Sequence, residues 1–89
     1  MENHSLLVYV IINISLQEVY FGKTFALREI YDPFPEEISH WDQQNHQITN
    51  PMIVEEAADA SAAKELLTDL IANAKRNPQG KTIIDTNLI

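Results

Sequence analysis

Asp59 to Arg76 reads DASAAKELLTDLIANAKR, and this stretch decides the fold. Its apolar residues fall at Ala63, Leu66, Leu67, Leu70, Ile71 and Ala74. That spacing puts them on one face of an α-helix. Lys64, Glu65, Thr68, Asp69 and Lys75 lie on or near the other side. Glu55, Glu56 and Asp59 lead into the amino end, while Lys75 and Arg76 close the carboxyl end, as the helix dipole favours. Pro78 and Gly80 stop the helix. An apolar stripe of this length needs a surface to cover, and the first third of the chain supplies one.

That third begins with Leu6 to Ile14, LLVYVIINI, a continuous apolar run that reads as a strand buried on both faces. Ser15 to Gln17 turns the chain, and Val19 to Phe21 opens a second strand, making a hairpin. Gly22 interrupts that strand, which points to a bulge, a turn or a close backbone approach. Thr24 to Tyr31 is readable as a short helix capped by Thr24 or as more strand; we favour the helix or an irregular turn. Asp32-Pro33-Phe34-Pro35 breaks the chain, and Pro35, Glu36 and Glu37 suit the first turn of a second short helix through Ile38 and Trp41. Gln43 to Gln47 reads as a loop, Met52 to Val54 as a third strand, and Thr82 to Ile84 as a last strand or docking tail. The expected fold is one α+β domain over 1–89, frayed at 1–5 and 85–89. A small, mainly antiparallel sheet, built from the N-terminal hairpin and a third strand, is covered by one long C-terminal helix, with short helical segments between.

Composition narrows the function. With 89 residues the chain is long enough for a modest core, and at 45% hydrophobic it reads as globular. No cysteine is present, which excludes disulfides, thiolate zinc sites and Cys nucleophiles, and fits a reducing compartment. The formal charge of −7 disfavours nucleic acid as a partner. Leu6 to Ile14 falls short of the ~20 residues a membrane-spanning helix needs, so no membrane is expected and a cytoplasmic location is. A protein partner or self-association remains, through a hairpin edge or an exposed Trp41.

One pattern is more specific. Leu7-Val8-Tyr9 is followed after ten residues by Tyr20-Phe21-Gly22 and then Lys23-Thr24. This resembles the paired strand motifs of the GIY-YIG endonuclease family, as does the order of third strand and long helix. The resemblance implies motif tyrosines side by side and facing the carboxyl-proximal helix. It implies catalysis by two tyrosines, an arginine and a helix glutamate that holds Mg²⁺. Tyr9 and Tyr20 match the tyrosine positions, and Gly22 the second glycine. Leu7 replaces the first glycine. Arg28 is the arginine candidate, about two positions early. Aligning Leu70-Ile71 with the end of the family helix motif puts Leu67 where the glutamate should be. Glu65 is two residues away, about 200° around the helix. The resemblance therefore implies a copy without catalysis, a binding or adaptor module using Gly22, Lys23 and Trp41. No metal ligand is assigned and no cofactor is expected. An active enzyme with Mg²⁺ would need another register, with Glu56 or Asp69 as ligand.

Simpler readings stand beside these. Tyr9 and Tyr20 also read as a cross-strand aromatic pair. Trp41 is either a core plug or an exposed anchor. His40 and His46 are six apart, too far for a helical ligand pair. Glu36-Glu37 and Glu55-Glu56 are neighbours that point apart.

Overall fold

The computed structural model describes residues 6–25 and 34–84. Four strands form one mixed sheet: β1 (Leu6–Asn13), β2 (Glu18–Thr24), β3 (Met52–Ala57) and β4 (Thr82–Ile84). The order across the sheet is β3-β1-β2-β4. β1 is antiparallel to both neighbours, and β4 runs parallel to β2. The helix α1 (Ala60–Arg76) leaves one edge strand and returns the chain to the other.

That path explains the sheet's two-sided burial. In β1 successive side chains go to opposite faces. Leu6 and Val8 join Ala57 of β3 and Ala63 and Leu67 of α1, with Phe21, Leu66 and Leu70 packed around them. Tyr9 and Ile11 point the other way, to Tyr20, Ile38 and Trp41, with Phe34, Ile48 and Ile84 at the margin. The second cover is not a long helix. It is the irregular segment from Phe34 to Ile48, containing a short 3₁₀ helix (Glu36–Ile38).

The helix stripe is as expected, with Ala63, Leu67 and Ile71 buried and Lys75 and Arg76 in the last turn. Asp59 is the N-cap; its carboxylate accepts a hydrogen bond from the Ala62 N–H at 2.9 Å. That satisfies one of the free amides of the first turn and contributes about 1 kcal/mol. Glu55 and Glu56 do not lead into the helix. They belong to β3, which runs on to Ala57 rather than ending at Val54. Thr82 to Ile84 is a strand, seated by the Thr82 N–H on the Gln17 carbonyl at 2.8 Å.

Gly22 does not interrupt β2. The register with β1 is unbroken from Leu7↔Thr24 to Asn13↔Glu18, with Tyr9 opposite Gly22 and Ile11 opposite Tyr20. Of the two glycines, Gly80 alone has positive φ. Gly22 is thus a close approach and not a turn or bulge. The irregularity lies instead on the β3 side, where the register shifts between Val8 and Tyr9. Thr24 ends β2, so the expected helix does not start there; the rest of that segment, 26–31, lies outside the described residues.

Candidate functional site

The two motif tyrosines come together, but as diagonal neighbours. Because Tyr9 faces Gly22 and Tyr20 faces Ile11, the rings approach obliquely, with centroids 6.1 Å apart and planes inclined at 54°. Tyr9 is 1% exposed and Tyr20 4%. Their hydroxyls share a hydrogen bond. Burial, then the neighbouring Tyr20 and the Glu37 carboxylate, push the Tyr9 phenol well above the ordinary tyrosine range. Such a phenol stays protonated and meets no bulk water. It suits a packed core pair better than a base that activates water.

The tyrosines also face away from α1. They pack with Ile38 and Trp41, whereas the α1 side chains pack with Leu6 and Val8 on the opposite face. Lys23 is exposed and pairs with Val8, so it lies on the α1 side of the sheet. Gly22 is covered by both tyrosine rings. Arg28 lies outside the described residues. The five candidate residues that are described, Tyr9, Tyr20, Gly22, Lys23 and Trp41, therefore do not converge on one accessible surface. Leu67, in the register of the family's metal-binding glutamate, is fully buried. Among the described residues, no three His, Asp or Glu side chains gather closely enough to hold a metal ion. No helix among them is long and apolar enough to cross a membrane.

Trp41 is a core plug and not an exposed anchor, at 4% exposed. Its indole N–H donates to Glu18 Oε1 at 2.8 Å, and His40 Nε2 contacts the same oxygen at 2.7 Å. Phe34 stacks edge-on against the indole at 6.1 Å. This Glu18–His40–Trp41 cluster ties the irregular cover to the start of β2. It joins residues more than twenty apart in sequence, and the only sequence signal for it is an acidic residue opening a strand.

Burial tends to raise the Glu18 carboxyl, but the hydrogen bonds from His40 and Trp41 and the nearby His40 and His46 rings lower it by more, so it sits below its ordinary value of 4.5. Folding therefore favours the ionised form. A depressed carboxyl contributes stability above its unfolded value, and that contribution is lost as pH falls through the folded value. Asp42, lowered by hydrogen bonds from Asn45 and the Gln44 N–H, titrates in the same direction. Stability to urea is expected to fall on acidification below about pH 4.5. Glu18→Gln should flatten that fall, and parallel profiles for the two proteins would show that the Glu18 charge does not contribute.

A second polar knot holds the far end of β1. Asn13 is fully buried in an otherwise apolar strand. Its amide nitrogen is 3.1 Å from His46 Nδ1, and its oxygen accepts from the Leu16 N–H at 2.9 Å. The Asp42 N–H also donates to His46 Nδ1, at 3.0 Å, which makes that nitrogen an acceptor and puts the ring proton on Nε2. Beside it, Thr49 extends the pairing of β1: its N–H donates to the Ile12 carbonyl at 2.9 Å, and its hydroxyl accepts from the Ile12 N–H at 3.0 Å. The lone Asn in LLVYVIIN was the available sign that a buried polar group needs partners.

A further surface feature is β3. It lies at the sheet edge, and its first five residues are exposed on both faces. Comparison with models of protein families, with curated proteins and with solved structures finds no match to this chain.

Proposed function

We propose that this chain is a binding domain that carries out no catalysis and serves as an adaptor between protein partners. The observation that carries the reading is the burial of Tyr9 and Tyr20, at 1% and 4% exposed, in one packed cluster with Ile38 and Trp41. A nuclease needs such side chains at a surface that a phosphodiester can reach. The excess of acidic residues, thirteen against six Lys and Arg, supports a protein partner over a nucleic acid one.

The resemblance to the GIY-YIG nucleases is kept here as one of strand and helix order: a hairpin, a third strand, then the long helix. The position of the tyrosines, turned from α1, favours a second reading of the ancestry, an α+β interaction domain unrelated to those enzymes. Both readings share the same activity, binding without chemistry.

The test is a nicking assay on supercoiled DNA with Mg²⁺ and Mn²⁺, using wild type and Tyr20→Phe. No cleavage above the buffer control is expected from either. Metal-dependent nicking by wild type that Tyr20→Phe abolishes would overturn the reading.

A further inference from the structure

The outer edge of β3 has no strand beside it among the described residues. An edge strand presents unpaired N–H and C=O groups, and soluble chains guard such edges with charge, proline or a bulge. Here the guard is uneven. Pro51 precedes the strand, the register with β1 skips Val54 at its middle, and Glu55 and Glu56 protect its second half. The first half is Met52, Ile53 and Val54, which are 65%, 47% and 41% exposed. Three adjacent exposed aliphatic side chains thus sit on an open backbone beside two exposed carboxylates.

We infer that β3 takes an extended segment of another protein as a fifth strand, one that is basic in its first half and apolar in its second. This inference rests on the binding-domain reading and names the partner's chemistry. Run antiparallel to β3, such a segment sets its Lys or Arg beside Glu55 and Glu56 and its aliphatic residues beside Met52 to Val54. Matched cross-strand pairs then form on both halves, while the backbone supplies the pairing.

A second copy of the chain fits this edge poorly. Two β3 strands paired antiparallel over their full length put Met52 opposite Ala57, Ile53 opposite Glu56 and Val54 opposite Glu55. Every carboxylate then faces an aliphatic side chain, between two molecules of charge −7. A nucleic acid is repelled by the same carboxylates.

The probe is the acetylated, amidated peptide Thr-Lys-Arg-Val-Ile-Val-Thr, titrated into isotope-labelled protein and followed by amide NMR. One control replaces its Lys and Arg with Glu, and another has N-methylated backbone at alternate residues. Saturable shifts over Met52 to Ala57 are expected, weakened by raising salt from about 50 to about 300 mM. Both controls should bind at least about tenfold more weakly, a difference of ~1.4 kcal/mol. Val54→Lys, at an exposed site, should keep a folded spectrum and lose the peptide. Shifts centred elsewhere would overturn the β3 assignment and leave the binding-domain reading standing. Equal binding of the acidic peptide, or absence of saturable binding, would overturn the inference. So would concentration-dependent self-association that shifts the β3 amides. Metal-dependent nicking, by contrast, would overturn the binding-domain reading on which the inference rests, and because it is read in a separate assay the two failures are distinguishable.

Discussion

Gly22→Ala is expected to destabilise the domain by about 1–3 kcal/mol, the cost of overpacking a filled core. A Cβ at that position would stand 2.6 Å from Tyr20 Cε2, 2.7 Å from the Tyr9 hydroxyl oxygen and 2.8 Å from Tyr9 Cζ. Distances below 3.0 Å are ones that real Cβ atoms essentially never show. The obstructing atoms belong to two buried rings, not to the ends of flexible chains, so relief requires the ring pair or the hairpin to move. The sign is informative. Ala in a regular strand ordinarily costs less than Gly, and Gly22 has no positive φ that Ala would strain. A loss of stability therefore reports the tyrosine contact alone. In urea titrations the midpoint should drop, and the melting temperature should fall by ~4–8 °C for each kcal/mol. An unchanged or higher midpoint would mean that the rings yield freely and are not packed against this backbone.

Leu67 gives the second large effect. It is fully buried between α1 and the sheet, against Leu6 and Val8. Leu67→Ala should cost about 2–5 kcal/mol, the range for emptying a leucine-sized core site. A domain of this size has a total stability of roughly 5–15 kcal/mol, so the variant loses a large share of it. Leu67→Glu restores the glutamate of the family register, yet it should abolish cooperative unfolding by circular dichroism, with no gain of nicking activity. The position faces the core, so a carboxylate there has neither water nor a cation to offset its desolvation. Glu65→Ala, on the exposed side two residues away, should change stability by no more than ~0.5 kcal/mol. A stable Leu67→Glu variant whose melting temperature rises with Mg²⁺ would show that this helix face is open and that the core assignment is wrong.

These two residues also show where the sequence was readable. Leu67 declares itself, because Ala63, Leu67 and Ile71 repeat at helical spacing whatever they cover. The unbroken apolar run of β1 likewise announces a strand with two buried faces. Which face carries the tyrosines is a different matter. It depends on which side α1 packs, and that is decided by side chains about fifty residues later. Gly22 reads from sequence as bulge, turn or close approach for a related reason: what selects the close approach is the Tyr9 ring opposite it, on another strand. Glu55 and Glu56 read as helix lead-in because glutamate is a poor strand former and a good first-turn residue. Pairing with Leu7 and Val8 overrides that preference. Trp41 reads from sequence as either plug or anchor, because the Glu18 carboxylate that accepts from its buried indole is distant in sequence.

The parallel pairing of β4 with β2 has a consequence for how the chain assembles. The β1–β2 hairpin closes over the four residues 14–17, while Glu18 must find Thr82 across most of the chain. In an otherwise unfolded chain, each doubling of a loop costs about 0.6 kcal/mol of closure entropy, so the four doublings between these loops amount to ~2.4 kcal/mol. The hairpin is therefore the kinetically accessible nucleus, and β4 docks last, once α1 has shortened the effective loop. Until then β2 is itself an edge strand. The early folding species has two open margins where the finished domain, among its described strands, keeps β3 and the three-residue β4.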